Sequence, residues 1–149
     1  MPGELILFAR VGLGFVLTFA VGFERELRGS PAGDRTFALV GTGTAAITAV
    51  ALRQSPQAVA GAITGVGFLG AGVVFHGTDT LVHGLTTAAG IFVAAAIGLV
   101  VGSGHLLLGL LTTAVVLVTL ELRYIPLVRL LDGRRYASGD RADRDPPGM

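Results

Sequence analysis

Five apolar runs of 17 to 19 residues, parted by short polar stretches, constrain this chain more than any other feature. They cover about residues 5–23, 36–52, 58–75, 85–102 and 106–122. About 20 apolar residues cross a bilayer as a helix. Only 14% of the residues are charged, where a water-soluble domain carries roughly 25%. The mean hydropathy is +0.73. The expectation is an all-α polytopic membrane protein, with five transmembrane helices in a compact Gly-rich bundle over residues 1–122. A polar cytoplasmic tail, 123–149, would follow. The connections are short, so sequential helices should run antiparallel as neighbours.

The first run does not read as a cleaved signal peptide. It lacks a basic start, and it ends in Phe23 and Glu24 rather than in small residues. Arg10 interrupts it, either as an anchor snorkelling to the interface or as an internal ion-pair partner. Beyond Arg123, Tyr124 suits the membrane interface and Pro126 ends or kinks the helix. The remainder of the tail has almost nothing to bury and is expected to be disordered.

All eleven basic residues are Arg. With the N-terminus outside, the inner side holds Arg25, Arg28, Arg35, Arg123, Arg129, Arg134, Arg135, Arg141 and Arg144, and the outer side Arg53 with Arg10 near it. That asymmetry satisfies the positive-inside rule. It places the C-terminus in the cytoplasm of a multi-pass protein.

The densest charges outside the tail lie between the first two runs. They are Glu24, Arg25, Glu26, Arg28, Asp34 and Arg35. Long apolar segments tolerate such a cluster at a membrane surface or in a polar cavity. Carboxylates are disfavoured at the C-terminal end of a helix dipole, and Arg28, four residues after Glu24, offsets this locally. The cluster is either a solvated ion-pair set fixing a helix end or a site for a cation, a proton or a partner protein. Glu121 could join it, paired with Arg25 or Arg35.

Gly61, Gly65, Gly67, Gly70 and Gly72 crowd the third run. Gly65-Val-Gly67-Phe-Leu-Gly70 spells the dinucleotide fingerprint, but that motif needs a strand before it and a helix after it. Inside an apolar run it reads as a small-residue packing face. The third helix is then the most buried of the bundle or a dimer seam. A broken helix lining a substrate site is the other reading. Thr86 and Thr87 open the fourth run, as Thr36 opens the second, and either cap a helix or bind a ligand.

His76, Asp79 and His83 share the loop before the fourth run. They are weak metal candidates, as are Glu24 and Glu26, because the spacing fits no compact zinc motif. A His pair there could sense acid pH. With no Cys, thiol chemistry is excluded, and with no Asn, so is N-glycosylation. No nucleophile–base pair or phosphate loop stands out, so neither an enzyme nor a cofactor is expected. A nucleic-acid partner is not expected either, since no soluble basic surface exists.

Several blocks together resemble the MgtC/SapB family of bacterial inner-membrane proteins. They are Gly22-Phe-Glu24-Arg25-Glu26, Pro31-Ala-Gly33-x-Arg35-Thr36, Gly65-Val-Gly67-Phe-Leu-Gly70-Ala-Gly72, Gly84-Leu-Thr86-Thr87-Ala-Ala and Ala94-Ala-Ala-Ile-Gly98. The resemblance covers about Leu5 to Leu122. It implies a five-helix membrane domain with the N-terminus outside, often followed by a cytosolic ACT-like domain for which this tail is too short. It also implies a link to low magnesium, acid stress and virulence. The implied partners are other inner-membrane proteins, including the proton-translocating ATP synthase. The basic residue the family places before Gly-Leu-Thr-Thr is His83 here. The leading expectation is a regulator acting through membrane-protein contacts. The alternative is a small transporter or channel for Mg²⁺, protons or another solute, using the Glu24–Arg35 cluster. A structural module of a larger complex is a third. A homo-oligomer, with a dimer favoured, fits each.

Overall fold

A computed structural model describes residues 2–75 and 81–122, and every described regular element is an α-helix. They are α1 Pro2–Leu27, α2 Asp34–Ala51, α3 Pro56–Phe75, α4 Leu81–Gly102 and α5 Leu106–Leu122. The chain divides into two compact units, Met1–Leu117 and Val118–Met149. The bundle below is the first unit. Glu121 falls in the second, and the tail from residue 123 lies outside the described residues.

The helix ends follow from local chemistry. α1 continues one turn past Phe23, because nothing before Gly29 breaks it and Glu, Arg and Leu favour helix. It ends where Gly29 adopts φ +70°. Gly29 N–H then donates to the Glu26 carbonyl at 2.9 Å, and Ser30 N–H to the Arg25 carbonyl at 3.0 Å. This is a Schellman stop, which needs a residue without a Cβ. α4 ends the same way, with Gly104 at φ +98° and His105 N–H on the Val100 carbonyl at 3.1 Å. Pro56 opens α3, where its missing N–H costs nothing.

α1, α2 and α4 form the core. Phe37, Ile91, Ile97, Val21 and Val101 are fully buried among them. Backbone approach sets the packing. A Cβ at Gly98 would overlap the Gly41 carbonyl and the Thr44 hydroxyl, and one at Gly102 would strike the Ala45 carbonyl. Buried hydroxyls turn back onto their own helices. Thr18 donates to the Gly14 carbonyl at 2.8 Å, Thr44 to Val40 at 2.9 Å and Thr113 to Gly109 at 2.8 Å. Such back-bonds satisfy a polar group where no water is available.

α3 packs on α4 and α2 at the edge of this core. It is one unbroken helix, so the broken-helix reading does not hold. Nor is it the most buried helix. The buried share of its membrane-length window is 17%, against 28% for α1 and 39% for α4. A side chain at Gly61, Gly65, Gly67 or Gly72 would meet no described atom within 4 Å, and Phe68 is 81% exposed. Only Gly70 faces inward, onto Ala88 of α4. The glycine crowding in α3 marks an open face rather than a packed one.

α5 rests on the core through Gly109, which lies against Val101 and Leu17. Leu107, Leu108, Leu110 and Leu111 stay exposed. α1, α3 and α4 are long and apolar enough to cross a membrane, and α5 is a shorter apolar helix. Outward leucines and phenylalanines on all of them fit a lipid surround. The chain is a helical membrane protein.

Candidate functional site

The charged junction gathers at the end of the bundle where α1 stops and α2 starts. Three of its six charged residues, Glu24, Arg25 and Glu26, lie on the last turns of α1 rather than in a loop. The helical repeat therefore gives them different surroundings.

Glu24 points inward. Its side chain is 11% exposed, and both carboxylate oxygens are buried without a hydrogen-bond partner among the described residues. Arg28 Nε stands 3.5 Å from Glu24 Oε1, one helical turn on. That separation supplies charge attraction without hydrogen-bond geometry. Arg25 Nε is also buried without a hydrogen-bond partner among the described residues. A buried carboxylate with two unmet acceptors is costly, and it is the group here with the most to gain from a ligand or partner donor.

Glu26 has a different role. It is exposed, and its Oε2 accepts the Asp34 N–H at 3.1 Å. Gly33, which precedes α2, offers no side-chain cap. Glu26 thus caps α2 from the neighbouring helix, and its negative charge sits at the favourable end of the α2 dipole. Asp34 accepts the Arg35 N–H on its own side chain. Glu26, Ser30, Pro31, Gly33, Asp34, Arg35 and Thr36 line an open cleft of about 520 Å³.

The junction also reaches α4. Ser30 Oγ and Thr87 Oγ1 are 3.0 Å apart, and Thr87 is fully buried. α4 starts at Leu81, one turn earlier than its apolar run suggests, so Thr86 and Thr87 lie inside the helix and do not cap it. Gly84 permits this extension, since a Cβ there would come within 3.2 Å of the Val73 carbonyl on α3. Thr36 likewise sits inside α2, whose cap is Glu26.

The structure pairs Glu24 with Arg28 and Glu26 with the start of α2, and Ser30 carries the link from the junction to Thr87. It leaves Gly65 and Gly67 away from the junction, each pointing out of the bundle from a different side of α3. Ser30 was not singled out from the sequence. Its place beside Pro31-Ala-Gly33 was the available signal. Arg10 lies toward the end of the bundle, in one cleft with Arg53, Gln54 and Ser103, and among the described residues it makes no ion pair. Its Nη1 donates to the Gly102 carbonyl at 3.5 Å, at the end of α4. His76 and Asp79 lie outside the described residues, as does the His83 side chain. Among the described residues, no three His, Cys, Asp or Glu side chains gather to hold a metal.

Residues 11–125 match the MgtC family, which takes in the junction, the α3 glycines and the threonines of α4. The chain belongs to the MgtC family. Its relatives include a Haemophilus influenzae protein, 36% identical over 86% of this chain and 59% of its own length. Escherichia coli YhiD, whose name proposes magnesium transport, is 37% identical over 89% of this chain and 66% of its own. MgtC of Brucella abortus is 37% identical over 84% of this chain and 54% of its own. This MgtC-family chain therefore spans about three-fifths of the length of these relatives. No solved structure matches it.

Proposed function

We propose that this MgtC-family protein is a bacterial inner-membrane regulator that works by docking other membrane proteins in adaptation to low Mg²⁺ or acid stress. Five spans with the N-terminus outside and the junction in the cytoplasm complete the reading. The supporting observation is the contrast between interior and surface. The interior is closed by backbone contact at Gly41–Gly98 and Ala45–Gly102. The α3 face carrying Gly61, Gly65 and Gly72 is open, and small residues there let another helix approach closely. A second copy, or a complex such as the proton-translocating ATP synthase, is the kind of partner that face fits.

Transport of Mg²⁺ or protons is the second reading. Two observations favour it: the unmet Glu24 carboxylate and the name of YhiD. The chain has no Cys, so one introduced thiol reports without background. The docking reading predicts that Gly65→Cys crosslinks to a membrane protein or a second copy in intact membranes, while Phe92→Cys on α4 does not. Equal or absent crosslinking at both positions contradicts it.

A further inference from the structure

At the end of the bundle opposite the junction, the start of α1 and the ends of α2 and α4 enclose a cleft of about 600 Å³. Arg10 and Arg53 line it, with Glu4 and Gln54. Arg10 is half-buried, eight residues into α1, or roughly 12 Å along it. Among the described residues it has one long hydrogen bond, to the Gly102 carbonyl. Among the described residues neither Arg10 nor Arg53 has a carboxylate within ion-pair distance. Two guanidinium groups against one carboxylate leave one positive charge in the cleft.

A guanidinium has five N–H donors and holds its charge at any physiological pH. Leaving most of them unused beside the apolar layer is unfavourable. The α4 carbonyl end holds Arg10 in place without neutralising it. The wall of the cleft is not polar throughout. Ile6, Leu7, Val50 and Leu52 also line it, and Ile6 and Val50 are exposed to the side. An occupant therefore needs an oxyanion at one end and hydrocarbon at the other.

We infer that this cleft binds an anionic phospholipid, its phosphate held by Arg10 and Arg53 and its acyl chain running over Ile6 and Val50. The phosphate matches the planar guanidinium fork. The partly desolvated position strengthens the attraction relative to open water. A free phosphate would share the arginines but would leave the apolar wall unused.

The test uses the full chain in nanodiscs of equal parts phosphatidylglycerol and phosphatidylcholine. It is released into the gas phase, and the retained lipid is identified by mass. The expected result is several-fold enrichment of phosphatidylglycerol in the wild type, lost in the Arg10→Gln, Arg53→Gln double variant. Arg53 is exposed, so Arg53→Gln alone should fold normally and lose part of the enrichment. Arg10→Lys keeps the charge without the fork, and it should lie between wild type and Arg10→Gln. Helical circular dichroism checks each variant's fold. Equal retention of both lipids, or enrichment untouched by Arg53→Gln in folded protein, overturns the assignment. Displacement of the lipid by millimolar inorganic phosphate also overturns it, in favour of a free-oxyanion site.

Discussion

Glu24 and Glu26 stand two residues apart and do different things. The first is buried with unmet oxygens, and the second caps the next helix. Losing a cap costs about 1 kcal/mol. Glu26→Ala should therefore lower the thermal stability of the purified protein by about that much, read by circular dichroism in detergent. Glu24→Gln keeps the volume and removes the charge. It should hold or raise stability, since an uncharged amide is cheaper to bury than a carboxylate whose oxygens lack hydrogen bonds. The six charges were plain in the sequence, and so was the Glu24–Arg28 spacing. The division of labour was not. It depends on α1 continuing past Phe23, which turns each side chain to its own direction, and on the Gly33 backbone coming beside Glu26.

Glycines at the scale of the helix carry a similar lesson. The sequence draws attention to α3, where five of them crowd. The close contacts instead use scattered ones on α1, α2 and α4, such as Gly41 and Gly98. A glycine gives no sign of which face it occupies, and close approach needs a matching gap on the partner helix. Two substitutions separate these roles. Gly98→Ala forces a Cβ into the Gly41 carbonyl, and overpacking of this kind costs about 1–3 kcal/mol. Gly65→Ala enters open space and replaces the weakest ordinary helix former with the strongest. It should be neutral or stabilising by up to about 1 kcal/mol. Unfolding of the two variants under one set of detergent conditions compares them directly. The helices themselves were legible because apolar run length carries them. Their ends shifted where the helix could extend beyond the apolar run, into Glu24–Leu27 and back to Leu81.

The chain is a helical membrane protein of the MgtC family, and the α1–α2–α4 core of its first unit is closed by backbone contact. Membrane character and family were legible because composition and several ordered motifs each pointed there. The open α3 face and the Ser30–Thr87 link were not, because both depend on how helices distant in sequence meet. The central claim is that the protein acts by docking and not by conducting. Flux into proteoliposomes, with Mg²⁺ and pH reporters inside and Glu24→Gln beside the wild type, tests it most directly. The account predicts uptake equal to that of protein-free vesicles under either gradient, from protein shown to be folded. Saturable uptake that disappears in Glu24→Gln would contradict it, and would make the buried carboxylate at the end of α1 part of a transport site.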